Sequence, residues 1–164
     1  MMVATTGGFA SSQLIKDEQI LIIPSLDIAG ALEISEIAKT LVIMRKLPLA
    51  AQVRLGDWII YHASLQGSSN ENNWWIDRKA RVVMLKHHST IYERVSAEER
   101  GVDWHKENNL LDETHAIHGG GLPLITNNEG FVGALLISGL PQVDDHLLGV
   151  EVLTEFLARK GKLL

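Results

Sequence analysis

With 164 residues, a formal net charge of −5 and no cysteine, the chain excludes disulfides, thiolate metal sites and cysteine nucleophiles together, so any metal would need His, Asp or Glu. Acidic and basic residues are interspersed, and no basic stripe exists to neutralise a phosphate backbone, which argues against nucleic acid as a partner. The length suits one domain able to bury roughly 70% of the surface of its unfolded chain without a covalent staple.

Residues 1–12 are small and polar and lack the basic start and apolar core of a secretory signal, so a flexible N-terminus ahead of a single domain over 13–164 is expected. The longest apolar stretches, such as Val132 to Ile137, are too short to span a bilayer. The expected setting is the cytoplasm, with no membrane partner.

Gln13 to Gln19 is predicted as a short helix, followed by the apolar run Ile20 to Ile23 that Pro24 ends. Asp27 is a good N-cap for a helix reaching Arg45, in which Ile34, Ile37, Leu41 and Met44 recur at helical spacing. Ala51 to Leu55 alternates and is predicted as a half-exposed strand, with Gln52 and Arg54 on its polar face. The pair Gly56-Asp57 then turns the chain into the return strand Trp58 to His62.

After the polar loop Gly67 to Asn73, a helical pattern starts at Trp75 and runs unevenly toward Val95, with Asp77 and Arg81 spaced to pair at i,i+4. Glu98 to Thr114 is charged and irregular, an expected surface connection. A second hairpin is predicted from Leu124 to Ser138 around Asn127-Asn128-Glu129-Gly130, and Gln142 to Arg159 forms the last helix. That helix carries Asp144 and Asp145 in its first turn and Arg159, Lys160 and Lys162 near its end, matching the macrodipole at both poles. Two hairpins among four helices make an α+β domain, with helices packed on one antiparallel sheet.

The chemistry concentrates in a few motifs. AIHGGGLP, from Ala116 to Pro123, and SGLPQVDDH, from Ser138 to His146, place His118, His146 and two aspartates at chain reversals. With His115 they could form a mixed metal site, although the spacing matches no standard motif and no metal site of protein ligands is assigned. The glycines Gly119, Gly120 and Gly121 either offer amides to an anion or allow a close backbone crossing. Arg78, Lys79 and Arg81 beside Trp74 and Trp75 suit recognition of a ligand carboxylate over a flat apolar platform, unless Asp77 already occupies Arg81. His87-His88-Ser89 invites a relay, yet no G-x-S-x-G elbow is present, and His62 suits a strand position better than a general base.

These motifs, with Pro24-Ser25-Leu26-Asp27, Tyr61-His62-Ala63, Trp75-Ile76-Asp77-Arg78-Lys79 and His88-Ser89, resemble the haem-degrading domain proteins, distant relatives of GlcG and HbpS-type haem-binding proteins. The resemblance covers nearly all of the chain beyond the N-terminus. It implies a profilin-like α+β fold with a central antiparallel sheet flanked by helices, and a homo-oligomer. Leu122 stands where many relatives carry an aromatic residue and Trp74 where they are often acidic.

The resulting expectation is a cytoplasmic, oligomeric protein that binds a small molecule, haem or a related tetrapyrrole. Its expected ligand-binding residues are Trp75, Arg78, Lys79, His88, His118, Gly119, Gly120 and His146, and no catalytic residue is assigned. Two alternatives stay open: an interaction or assembly protein whose motifs build subunit interfaces, and an enzyme for a small acid using His118 and His146.

Overall fold

The computed structural model describes residues 6–161; of the loose N-terminus expected over 1–12, residues 1–5 lie outside the described residues, as does the cation Lys162. Helix α1 is Ser11–Ile20, and α2 is Ile28–Arg45, opened by Asp27, whose carboxylate accepts from the Gly30 amide at 2.8 Å. Lys46 closes α2 in the left-handed conformation with φ of 54°. Strands β1, Ala50–Leu55, and β2, Trp58–Ser64, form the first hairpin across Gly56-Asp57.

Helix α3, Asn70–Lys86, begins five residues before the apolar pattern does, because the Asn72 side chain accepts from the Ser69 amide at 2.9 Å and caps the first turn. It stops at His87, which is left-handed with φ of 61° and stacks on Phe131 at 3.9 Å between ring centroids. Ser89 then caps a separate helix α4, Thr90–Glu99, its hydroxyl accepting from the Tyr92 amide. The uneven pattern toward Val95 is therefore two helices. A short helix α5, Trp104–Asn108, interrupts the charged connection, moored by the Trp104 indole donating to Glu93 at 3.0 Å.

Strands β3, Gly121–Thr126, and β4, Gly130–Ser138, form the second hairpin, and α6, Gln142–Arg159, closes the fold. The four strands make one antiparallel sheet in the order β2-β1-β4-β3. The fold is thus α+β, as the pattern of elements predicts. Helices α2 and α6 cover one face, burying Ala51, Val53, Leu122, Leu124, Leu135 and Ile137. Helix α3 covers the other through Ile76, Ala80 and Val83 against Ala50, Ala134 and Leu136.

This second layer corrects the half-exposed reading of β1. Gln52 is only 4% exposed, because α3 lies across the face that alternation marks as polar. Its polar groups are satisfied in a chain: Arg54 donates to Asp77 at 2.8 Å and to Gln52 Oε1 at 2.5 Å, and Gln52 Nε2 donates to His62 Nδ1 at 3.0 Å. His62 consequently carries its hydrogen on Nε2, which donates to Ser64 at 3.1 Å, so the lone pair a general base would need there is taken. Asp77 meets Arg54 rather than Arg81, whose guanidinium donates instead to the Thr114 carbonyl.

Gly133 sits opposite Leu55 in the β1–β4 ladder, where a Cβ would overlap the Arg54 carbonyl. Gly133→Ala should lower stability by about 2–3 kcal/mol, since rigid backbone must shift to admit it. A fall in the urea midpoint without a change in slope would show this.

Candidate functional site

Lys79 emerges from the middle of α3 where β4 ends, and its side chain is only 3% exposed. Such burial is tolerable because the ammonium donates to the Ile137 carbonyl at 2.8 Å and to Asp145 Oδ2 at 3.3 Å. Asp145, in the first turn of α6, also accepts from the amides of Gly139 at 3.3 Å and Leu140 at 3.0 Å. The carboxylate is thereby a cap for its own preceding loop as well as the partner of Lys79. Burial raises Asp145 to about 6, opposed by Lys79 and the Leu140 amide, and burial lowers Lys79 against the pull of Asp145.

The glycine run passes beside this pair. Gly120 has φ of 123°, and a Cβ on it would overlap the Ile137 carbonyl and crowd the Lys79 ammonium. The Gly119 amide donates to the Gln142 side chain at 3.2 Å and the Gly121 amide to the Thr90 hydroxyl at 3.0 Å. Both amides are therefore engaged within the chain. Of the two readings of these glycines, the geometry matches the close backbone crossing.

Above the Lys79–Asp145 pair opens a cavity of about 300 Å³, walled by Trp75 and His118 and reaching Glu71, Ser138 and Leu140. The His118 and Trp75 rings meet edge to face, 4.6 Å apart between centroids. Burial first, then the charges of Arg94 and Lys79, lowers His118 to about 4, so its imidazole is neutral at physiological pH. Arg94, on α4, reaches it with Nη2 at 3.4 Å from Nδ1. His118 also lines a second cavity of about 410 Å³, shared with Arg94, Val102, Trp104, Asp112 and Ile117.

The other expected ligand residues are placed elsewhere. Arg78 is 1% exposed and lies between Trp74 and Trp75, its guanidinium carbon 4.1 and 4.2 Å from their ring centroids. It donates to the Asp112 carbonyl at 2.7 Å and pairs with the Asp112 carboxylate at 2.9 Å. Trp74 thus supplies a π face to Arg78 at the position where the resemblance anticipates an acid. His88 binds Glu18 of α1 at 2.8 Å, a bond that raises its pKa. His146 is 4% exposed, packs edge-on to Phe9, and lines a slot with Leu14, Leu122 and Val150. Its Nδ1 has no hydrogen-bond partner among the described residues, and burial lowers the His146 pKa to about 4.

The structure therefore brings Trp75, Lys79 and His118 to one cavity, and leaves His88 and His146 at the α1 side of the fold. Among the described residues, no three of the His, Asp or Glu side chains gather where they could hold a metal ion. Sequence reasoning missed Arg94 and the pairing of Asp145 with Lys79. Arg94 lies in the uneven stretch whose helix break was illegible, whereas Asp145 was visible only as a helix-start carboxylate.

Residues 26–154 match the family model described as haem degrading protein HbpS-like. A UPF0303 protein of Brucella anthropi is 35% identical over 152 residues, covering 92% of this chain and 89% of its own, and one of Streptomyces avermitilis is 34% identical over 147 residues, covering 90% of each. Among solved structures, the Ybr137w protein is similar with a TM-score of 0.82 at 22% identity, over 90% of this chain and 88% of that one. A PduOC:heme complex is similar with a TM-score of 0.63 at 14% identity, over 78% of this chain and 94% of that one. At these identities the two structures establish the shared fold. No helix among the described residues is long and apolar enough to cross a membrane.

Two outcomes follow from the buried groups. Lys79→Met and Asp145→Asn should each cost about 3–5 kcal/mol, because each strands a buried partner, while the double variant costs clearly less than their sum; a denaturation cycle reads this directly. His146 is neutral when folded to about pH 4 but protonates near 6.5 when unfolded, so its contribution is full above 6.5 and disappears as pH falls toward 4. Between pH 7 and 4 the wild type should lose about 3 kcal/mol more stability than His146→Leu.

Proposed function

Because the chain belongs to the family of HbpS-like haem degrading proteins, we propose that it binds haem or a related tetrapyrrole at the cavity walled by Trp75 and His118, with His118 as the nitrogen ligand to the metal. The observation that carries this reading is His118 itself: a neutral, half-buried imidazole, held by one long contact to Arg94, in the wall of an open concavity. The Trp75 ring, over which the Arg78 guanidinium also lies, adds apolar surface to the same wall.

The residues present fit a haem in this respect and restrict how it would sit. A volume of about 300 Å³ is at the low end for a small-molecule pocket, so a tetrapyrrole would be held there only in part. Lys79 and Arg78 do not serve as the propionate clamp that their clustering suggests, since Asp145 and Asp112 hold them. A bound haem would supply a redox-active iron, with His118 as the residue that would hold it and Trp75 as the apolar neighbour. A solved relative in fold being a heme complex supports the ligand class.

We extend the reading to a cytoplasmic homo-oligomer. Ile28, Leu32, Ile43 and Met44 on α2 and Trp58 and Ile59 on β2 are all exposed, an apolar surface suited to subunit contact. The ligand reading is tested by titrating the protein with haem: a Soret shift is expected in the wild type and in His146→Ala, and its loss or displacement in His118→Ala. A wild type with no shift, or a His118→Ala spectrum identical to it, removes His118 from the role.

A further inference from the structure

His118 stands in the walls of two cavities, one on the Trp75 side and one on the Arg94 side. We propose that this second cavity is the other half of the ligand site and that Arg94 is the residue in it that takes a carboxylate of the ligand. The assignment rests on the tetrapyrrole reading and adds a residue that sets which tetrapyrroles are accepted.

A guanidinium only donates, so where Arg94 Nη2 meets His118 Nδ1 at 3.4 Å the imidazole nitrogen accepts, and the neutral ring carries its hydrogen on Nε2. A metal can be held only by a ring nitrogen with a free lone pair. Ligation through Nε2 moves the hydrogen to Nδ1, which then presents a donor to a donor. Ligation through Nδ1 consumes the acceptor outright. In both cases Arg94 Nη2 loses its partner as the metal is bound.

The remaining contacts of Arg94 leave it poised for a new one. Its Nε donates to the Ile117 carbonyl at 3.1 Å and fixes the root of the guanidinium. Its Nη1 has Glu98 at 3.6 Å, one helical turn away and with a side chain 53% exposed, a pair of little strength. The other carboxylates of this cavity are already engaged: Asp112 holds Arg78 at 2.9 Å, and Asp103 accepts from the Lys106 amide at 3.1 Å. Val102 and Ile117 line the same space of about 410 Å³ with apolar surface. Because His118 lines both cavities and Arg94 lines the second, a ligand held at His118 would bring a peripheral carboxylate within the neighbourhood of the Arg94 fork, which suits bidentate pairing.

Soret titrations with haem and with its dimethyl ester separate this from simple ligation, because the ester keeps the iron and the ring and lacks the carboxylate charges. The wild type should bind haem about tenfold more tightly than the ester, the scale of one charge-assisted hydrogen bond. Arg94→Gln should bind both with the affinity of the ester and an unshifted Soret position, Arg94→Lys should restore part of the preference, and Val102→Trp, filling the cavity from its rim, should weaken both ligands. A His118-dependent Soret shift with the ester preference intact in Arg94→Gln, or haem affinity unchanged in Val102→Trp, overturns the assignment and leaves the tetrapyrrole reading standing. A wild type that binds neither compound overturns both.

Discussion

The ion pair between Lys79 and Asp145 is the constraint on which the rest of this structure depends. One ammonium, buried at the centre of the α3 layer, joins the end of β4 through the Ile137 carbonyl and the start of α6 through Asp145. Asp145 in turn gathers the amides of the loop between them. Burying two charges is unfavourable unless nearly every donor and acceptor is used, and that requirement explains the glycines alongside. Any side chain at Gly120 would displace either the Ile137 carbonyl or the ammonium. The two glycine- and proline-rich motifs, 25 residues apart along the chain from Gly120 to Asp145, are thus the two halves of one polar junction.

That junction positions the functional surface without being its chemistry. It sets the floor of the first cavity beside the segment carrying His118, while the ring itself rests on Trp75 and a long contact to Arg94. Cations that look available in the sequence are consumed in building the frame: Lys79 in the junction, Arg78 between two tryptophans and against Asp112, and Arg54 in the chain that satisfies Gln52. Arg94, whose strongest tie is to a single carbonyl, keeps its outer nitrogens nearly free.

Local signals made much of the fold legible. Asp27 as an N-cap, the Gly56-Asp57 reversal, the apolar spacing of Ile34, Ile37 and Leu41, and the charge polarity of α6 each act within a few residues, and the structure follows them. The break at His87 was not legible, because it depends on a left-handed residue stacked on Phe131 from another hairpin. The start of β3 at Gly121 was hidden for a similar reason, since a glycine has no pattern of its own and its pairing with Leu136 defines the strand. Of the candidate site, the neighbourhood of Trp75, Lys79 and His118 was visible as three separate motifs. Nothing in their spacing said that His146, one residue past Asp145, would face a different slot on the α1 side.

The sequence by itself determined the α+β class, most of the helices and hairpins, and the family, because propensity, capping and motif order are properties of the chain taken a few residues at a time. The tertiary structure alone decided which charges are spent and which are free. That outcome depends on burial and on partners dozens of residues away: α3 turns the polar face of β1 into an interior, Asp145 claims Lys79, and Arg94 is left facing His118.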